Sequence, residues 1–402
     1  MVTAKKINIK EAFFHLGIYL EFISQFLSTV VFVNGIMNNF SSIIHGMSFG
    51  LLAVSIIINN RHTRRQLLLL ALCSCVGVLN YYVSGNATFV TLVLVAYAAK
   101  EYNFTLIIRK LLLLRIVLLG LTIFLSLGGV AIGYVSHRTG GDRFSLGFDT
   151  PNRLGLNLCA ILIYSLYLYR KLSLKKLLIL GVGVYILSFF SGAQTSAITF
   201  LVTFVLIICC KFFKWDKIDS RLLKGLLKNM YLIMLLFSIA IALLYRRGYT
   251  IFIVLNRLLS RRLYFFDYYL QNFNISLFGN AVLFQTEGWD YSLGQHIPLL
   301  TLDNAYLYYL FASGLVGCVF YFLFSRKVMQ SLLETDDVYG VICAFGLLFS
   351  GLSEISALDV NFNHFLLLSF CESDRIEKRS SSSKLQKPAN VAIGGVLEEN
   401  KG

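Results

Sequence analysis

Arginines are concentrated in one polar segment of the chain, residues 246–303. The segment contains no lysine and five arginines: Arg246, Arg247, Arg257, Arg261 and Arg262. Arginine presents a rigid fork of donors that matches two phosphate oxygens at once, whereas lysine acts as a point charge. A helix through this segment would place Arg257 and Arg261 on one face, at a spacing that suits a diphosphate. The segment therefore predicts a site for a phosphate-bearing substrate.

Other residues of this segment leave two alternatives open. Asp267 and other carboxylates could pair with the arginines, which would make those arginines structural. The aromatic run 264–269 could stack on sugar rings or form an aromatic belt at the membrane interface, and the belt is the favoured interpretation.

The elements that position these residues are predicted to lie in a membrane. The chain has 402 residues, of which 57% are hydrophobic and 14% charged, and its mean hydropathy is +0.70. Soluble domains are about 45–50% apolar and about 25% charged. We therefore predict an all-α, polytopic transmembrane helical bundle over residues 1–370 with a large extracytoplasmic loop, 246–303. The polar tail, 371–402, is expected to be cytoplasmic and disordered.

Apolar stretches predict about twelve spans, with ten or eleven as alternatives because two stretches are short of the roughly 20 residues that a span needs. Alternating strands typical of a membrane barrel are absent from the sequence. The predicted spans are 13–33, 42–59, 66–84, 87–99, 111–135, 152–169, 177–193, 195–213, 229–245, 304–324, 338–356 and 359–370.

Positive charge predicts the orientation of these spans. The net charge is +15, and cytoplasmic loops are enriched in lysine and arginine. With both termini in the cytoplasm, 28 of the 36 basic residues fall inside, among them Arg115 at the inner end of the fifth span. The other 8 are all arginines outside the membrane, which oppose the rule and favour contact with phosphate or glycan. The net charge is thus a topology signal that attracts anionic membrane lipid, and no nucleic-acid partner is predicted.

A second external loop, residues 134–155, carries further candidate residues. It reads YVSHRTGGDRFSLGFDTPNRLG and contains Arg138 and Arg143. Its DTPN run predicts the start of a helix, because proline suits the first helical position and threonine suits the cap. Arg138, Arg143 and Asn152 are candidate substrate-binding residues.

Motifs for metals, nucleotides and coupled transport are not evident in the sequence. The histidines and cysteines lack metal-ligand spacing, and no phosphate-binding loop occurs, so neither a metal nor another cofactor is predicted. The predicted spans hold few charges, of which Glu21, Glu354 and Asp359 are the clearest. This scarcity weakens an ion-coupled carrier, which keeps ionisable residues deep in its bundle.

Three segments, in their order and spacing, resemble the Wzy-type polysaccharide polymerases, especially those of capsule clusters in Gram-positive bacteria. The related O-antigen ligases share the plan. The segments are RFSLGFDTPNRLG, LNRLLSRRL followed by LFG, and LDNAYL followed by GLVG. The resemblance covers roughly residues 111–325 and implies a membrane glycosyltransferase of GT-C-like architecture.

The resemblance also implies roles for particular residues. The S-G-R pattern of the family falls on residues 260–262, where arginine replaces the glycine and Arg262 matches the functional arginine. Asp303 and Asn304 stand where the ligases have His-Asn, and His296 is a candidate substitute in the acid/base role. The S-L-G-F-x-x-P-N pattern ends at Asn152, and threonine replaces the histidine that often precedes its proline. An S-R-T signature is reduced to Gln194-Thr195.

The function that the resemblance implies is joining of oligosaccharide repeat units carried on undecaprenyl diphosphate, which serve as donor and acceptor. Arg262, Asp303 and His296 would be catalytic, and Arg257, Arg261 and Asn304 would bind substrate. A flippase and a chain-length regulator are the implied protein partners. The alternatives are a ligase that transfers a finished glycan and, from another class, a flippase for lipid-linked oligosaccharide. A cap at the following helix is the alternative role of Asp303.

Overall fold

An all-α bundle is the architecture of the chain. A computed structural model describes residues 9–33, 36–58, 63–133, 135–138, 141–170, 173, 181–182, 193–282, 288–290, 295–297 and 301–370. Five of the described helices are long and apolar enough to cross a membrane, or six if one bent pair is a single span. A helical membrane protein is thereby supported, while twelve spans and the GT-C-like architecture stay predictions.

The helices have the following bounds in chain order: α1 (Ile9–Leu27), α2 (Ile36–Ile57), α3 (Arg64–Ser84), α4 (Thr88–Ala99), α5 (Phe104–Leu127), α6 (Pro151–Leu168), α7 (Gln194–Phe212), α8 (Arg221–Lys228), α9 (Met230–Arg246), α10 (Thr250–Leu258), α11 (Arg262–Asn272), α12 (Ala305–Ala312), α13 (Gly314–Glu334) and α14 (Val338–Ser350). Two 3-10 turns follow, Ile355–Leu358 and His364–Phe370. Two antiparallel hairpins pair β1 (Val135–Arg138) with β2 (Gly141–Phe144) and β3 (Gly288–Asp290) with β4 (Gln295–Ile297).

Helix α5 begins earlier than its apolar pattern predicts. The side chain of Asn103 accepts a hydrogen bond from the backbone N–H of Leu106 and caps the helix at Phe104, seven residues before the predicted start at 111. Arg115 is therefore the twelfth residue of a 24-residue helix. Its assignment to the inner end of the span was wrong, because this arginine lies halfway along α5.

The predicted span 304–324 is broken. Helix α12 ends at Ala312, and α13 begins at Gly314, whose φ of 67° lies in the left-handed region. A Cβ atom at Gly314 would approach the backbone N of Gly279 to 2.4 Å, so glycine is required there. The long apolar helix is α13, and α12 is a short element that begins inside the bundle.

The predicted spans near the C-terminal end also differ from the structure. Helix α14 ends at Ser350, and residues 351–370 form turns and two 3-10 segments instead of a further α-helix. These turns run beside α4, α12 and α13. Of the predicted span 177–193, only residues 181–182 and 193 are among those described.

One end of the bundle, called here the basic end, carries the ion pairs that join neighbouring helix termini. They connect Lys10 with Glu101 at 2.5 Å, Arg170 with Asp337 at 2.7 Å, and Lys217 with Asp336 at 3.6 Å. Phe104 and Tyr167, whose ring centroids are 5.8 Å apart, connect the first pair with the second, so the described connections near residues 100, 170, 217 and 336 share one end of the bundle. Which end faces the cytoplasm stays a prediction.

The opposite end, called here the loop end, is joined by short backbone contacts. The backbone N of Val31, beyond α1, donates to Gly147 O at 2.9 Å, and Ile132 N, beyond α5, donates to Val31 O at 2.8 Å. Leu146 and Gly147 have φ values of 46° and 94°, which turn the chain towards α6. The S-L-G-F run therefore forms the turn that ties the ends of α1 and α5 to the start of α6.

Candidate functional site

The arginine-rich segment begins with two short helices instead of the single helix that its sequence predicts. Ser260 and Arg261, between α10 and α11, have φ values of 53° and 65°. Buried Asn256 holds this break, because its Oδ1 accepts from Tyr264 N at 3.0 Å and its backbone O accepts from Arg261 N at 2.8 Å. The same-face spacing predicted for Arg257 and Arg261 is therefore wrong, and both side chains are exposed.

Arg262, the first residue of α11, is turned into the protein. Its side chain is 12% exposed, and Nη2 lies 3.7 Å from Oδ2 of Asp303, whose side chain is 33% exposed. The other oxygen of Asp303 accepts from the Thr301 hydroxyl at 3.0 Å. The structure thus brings together two of the three predicted catalytic residues, and the break at residues 260–261 gives Arg262 its direction.

Glu354, in the turn after α14, is a third charged group near this pair. Its side chain is buried, and its Oε1 accepts from the Thr195 hydroxyl at 2.7 Å. Burial, and to a smaller extent Asp303, raise the pKa of Glu354, whereas Thr195, Arg262 and Arg153 lower it; the result is a pKa of about 7. A carboxyl group with a pKa near neutrality is suited to accept or donate a proton.

We call Arg262, Asp303 and Glu354 the loop-end cluster. The sequence indicated Glu354 only as one of a few charges within spans. Its partner Thr195 is 159 positions away, so only the fold reveals the contact. The sequence signal for this contact was the presence of two polar groups in otherwise apolar stretches, the pair Gln194-Thr195 and Glu354.

Asn304 caps helix α12 and is fully buried. Its Oδ1 accepts from Leu307 N at 2.9 Å, while its Nδ2 donates to the Ser238 hydroxyl at 3.0 Å and to Leu352 O at 3.2 Å. The cap is therefore Asn304 and not Asp303, the residue for which capping was the alternative role. Ser238 is the ninth residue of the 17-residue α9. The first turn of α12 therefore lies beside the middle of α9, inside the bundle, and Asp303 directly precedes its cap residue.

Two of the resemblance segments pack directly against each other beside Asn304's helix. Asn280 N donates to Phe311 O at 2.8 Å, and Leu315 N donates to Ser276 O at 3.0 Å. A Cβ atom at Gly279 would come within 2.0 Å of Ala312 O. The glycines of these segments thus allow the loop 276–280 to lie against the break between α12 and α13.

The remaining predicted residues lie on other elements than the three residues of the cluster. Arg143 lies on β2, opposite Ser136 of β1, and Arg138 is the last residue of β1. Asn152 is the second residue of α6. His296 lies on β4, and its side chain falls outside the described part of the structure.

The helix predicted at DTPN begins at Pro151, as expected. Thr150 has the extended backbone of a cap residue, but its hydroxyl lies 3.3 Å from Asp149 Oδ1 instead of binding a helical N–H. Arg153, in the first turn of α6, donates from Nη1 to the Ser356 hydroxyl at 3.0 Å. Ser356 is two residues beyond Glu354, so the start of α6 is tied to the loop-end cluster.

Some arginines and aromatic residues of the arginine-rich segment have structural roles. Nε of Arg246 donates to Asp267 Oδ1 at 2.6 Å, as the pairing alternative predicts. Within the aromatic run, three of the five rings are buried in the core: Phe265, Phe266 and Tyr269. For these three rings, packing replaces both the sugar-stacking and the belt interpretations.

Metal-ligand groupings of three or more His, Cys, Asp or Glu are absent from the part of the chain that the structure describes. Comparison with models of known protein families, with curated proteins and with solved structures found no match. The functional argument therefore depends on the geometry of the loop-end cluster and on the resemblance of the three segments.

Proposed function

We propose that this chain is a polysaccharide polymerase that joins oligosaccharide repeat units carried on undecaprenyl diphosphate. The observation that carries the proposal is the grouping of Arg262, Asp303 and Glu354 at the loop end of an apolar helical bundle. A guanidinium shielded from water can stabilise the charge that develops on a departing diphosphate. The bundle's lipid-facing helices suit substrates whose tails lie in the bilayer.

The cluster supplies a role for each reacting group. The acceptor hydroxyl attacks the anomeric carbon of the donor, forming a new C–O bond as the bond from that carbon to the diphosphate oxygen breaks. The hydroxyl proton passes to Glu354, and the lipid diphosphate leaves with the electron pair, stabilised by Arg262. Asp303 is a positioning residue that holds Arg262 towards the leaving group. His296 remains a candidate acid or base at the same loop.

The proposal places the loop end outside the cytoplasmic membrane and both termini inside, because the basic connections lie together at the opposite end. A cysteine at Gln285 in the long loop tests this orientation. We expect an impermeant thiol reagent to label it in intact cells. Labelling only after permeabilisation would reject the orientation.

Deletion of the gene, followed by gel analysis of surface glycan, tests the function. A polymerase deletion should remove the ladder of long chains and leave single repeat units on lipid or at the surface. An unchanged ladder would contradict the proposal. Loss of long glycan from its final acceptor, with lipid-linked long chains retained, would instead indicate a ligase.

A flippase for lipid-linked oligosaccharide is the second candidate, and one observation favours it. Arg115 lies halfway along α5, is 3% exposed and lines a cavity, and a flippase needs cations deep in its bundle. The deletion separates the two functions, because a flippase deletion traps repeat units at the cytoplasmic face. We favour the polymerase because Arg262 and Asp303, to which the resemblance gives functional roles, lie together at the loop end.

A further inference from the structure

A cavity of about 140 Å³ lies beside the loop-end cluster, between the end of α1, the middle of α5, the start of α6 and the first 3-10 turn. Ser356, which is two residues from Glu354, is among its lining residues. The volume far exceeds the ~30 Å³ that one water occupies in the liquid. Arg115 and Arg153 also line it, at its inner and outer parts.

Arg115 is held in this cavity by uncharged groups. Its Nη1 donates to Asn157 Oδ1 at 2.7 Å and its Nη2 to the backbone O of Asn361 at 2.6 Å. Among the described residues its Nε has no hydrogen-bond partner, and no carboxylate lies within ion-pair distance of it. Asp359 acts on this guanidinium electrostatically but forms no ion pair with it. A buried guanidinium without a direct ion pair is costly, so an anion in the cavity would stabilise it.

Arg153 adds a second positive charge at the mouth of the cavity. Its Nη1 contacts Ser356, its Nε lies 3.8 Å from Asp149 Oδ1, and its side chain is 41% exposed. Asp359 is the carboxylate among the lining residues, and Asp149 is paired with Arg153. Arg115 is thus the cation of the lining that has no carboxylate within ion-pair distance among the described residues, and its guanidinium suits an anion with several oxygens.

Hydrogen bonds fix the acidic side of the cavity. Asn361 N donates to Asp359 Oδ1 at 2.8 Å, and Asn361 Nδ2 donates to Glu21 Oε1 at 3.3 Å. The other oxygen of Glu21 lies 2.9 Å from His45 Nδ1. Asn361 thus hydrogen-bonds both carboxylates and holds them in place beside the cavity.

A second cavity, of about 320 Å³, adjoins the first and shares Gln25, Asp359 and Asn361 with it. Its remaining polar lining is uncharged: Ser84, Asn86, Thr88, Thr91 and Tyr308. The Thr91 hydroxyl is buried and has no hydrogen-bond partner among the described residues. Neutral hydroxyl and amide groups are suited to sugar hydroxyls, so the two cavities differ in the ligand chemistry that they fit.

We propose that the cavity of Arg115 and Arg153 binds the diphosphate of a lipid-linked glycan, and that the adjoining larger cavity binds its first sugar units. This inference rests on the proposed function. Polymerisation joins two lipid-linked molecules, and only one of the two diphosphates leaves. The diphosphate that departs is stabilised at Arg262, and the diphosphate that stays attached, that of the acceptor, is held by Arg115 and Arg153.

Binding of farnesyl diphosphate to the full-length protein in detergent tests the inference, with farnesol as the control that lacks the diphosphate. We expect two diphosphate-dependent sites in the natural protein. Arg153→Gln should weaken one of them at least about tenfold, as loss of a charge-assisted contact predicts. Arg326→Gln, which changes an exposed arginine on α13, is the matched control and should retain both sites.

Arg262→Gln separates this inference from the proposed function. The inference holds if the natural protein has a site that Arg153→Gln removes and Arg262→Gln preserves. If that site is the only one found, the proposed donor site at Arg262 fails and the inference still holds. If binding is absent, or if Arg153→Gln leaves every site unchanged, the inference is overturned.

Arg115→Gln is not used as a test, because it alters a buried group and can disturb folding. Photolabelling with a benzophenone-bearing farnesyl diphosphate provides the second measurement. The probe should label α5 or α6, and labelling confined to 250–282 would contradict the proposal.

Discussion

The loop-end cluster and the cavity of Arg115 and Arg153 both surround arginine, but they differ in what accompanies the charge. Arg262 lies 3.7 Å from Asp303 and acts electrostatically on the buried Glu354, whereas Arg115 is hydrogen-bonded by uncharged groups and has no ion pair among the described residues. The first arrangement combines a cation with a carboxyl group that can exchange a proton, which chemistry needs. The second leaves a cation without a direct ion pair, which is suited to holding an anion. Two arginines of one chain can thus serve different tasks because their neighbours differ.

Glu354→Gln should reduce the rate of polymerisation most, because it removes the acid–base group of the loop-end cluster and keeps the shape of the side chain. We expect polymerisation to fall by about 10²- to 10⁴-fold, as for loss of a general base. In the natural protein the rate should rise as the pH increases through about 7, where Glu354 loses its proton. The rates are measured with membranes and lipid-linked repeat units.

Glu334→Gln, which changes an exposed glutamate at the basic end, is the control for that experiment and should retain activity. A pH profile that persists in Glu354→Gln would assign the titration to another group, and the cluster would lose its acid–base role.

Arg262→Lys should reduce the rate about a hundredfold although the charge is kept, because lysine lacks the fork that contacts two phosphate oxygens. The same measurement with Arg326→Lys controls for the change of residue type. Near-normal polymer from Arg262→Lys would mean that Arg262 attracts the anion only at long range or is structural.

Asp303→Asn should have a smaller effect, roughly fivefold, because a partly exposed ion pair at 3.7 Å contributes about 1 kcal/mol. Asn304 supplies the cap of α12, so the variant should accumulate and melt like the natural protein. A loss as large as that of Glu354→Gln would make Asp303 the proton acceptor instead of a positioning residue.

Arg261→Gly should have the smallest effect. Arg261 is exposed and has a φ of 65°, a conformation that glycine adopts without strain. We expect unchanged polymer and a gain in stability of up to about 1 kcal/mol, measured by thermal unfolding. A clear loss of polymer would show that the Arg261 side chain contacts substrate, as the sequence first indicated.

Helix positions that depend on local pattern could be predicted from the sequence. The bounds of α3 and α6 agree with their apolar stretches, and Pro151 begins α6 as expected. The breaks could not be predicted, because they depend on distant contacts. Gly314 is left-handed beside Gly279, and Ser260 and Arg261 are left-handed beside Asn256.

The candidate site was predicted only in part for the same reason. Arg262 and Asp303 both belong to segments that resemble the polymerases, and the resemblance predicted that they act at one site. The contact of Glu354 with Thr195 joins residues 159 positions apart, and the depth of Arg115 depends on a cap at Asn103. The first feature has no local sequence pattern, whereas the second follows from a local cap that the apolar stretch does not include.

Polymerisation by the purified protein in proteoliposomes tests the central claim most directly. The substrate is the lipid-linked repeat unit extracted from the deletion strain, and the product is separated on a gel. The account predicts a ladder of chain lengths, release of undecaprenyl diphosphate, and loss of both in Glu354→Gln. Repeat units that stay single while they cross the bilayer would contradict the account and identify a flippase.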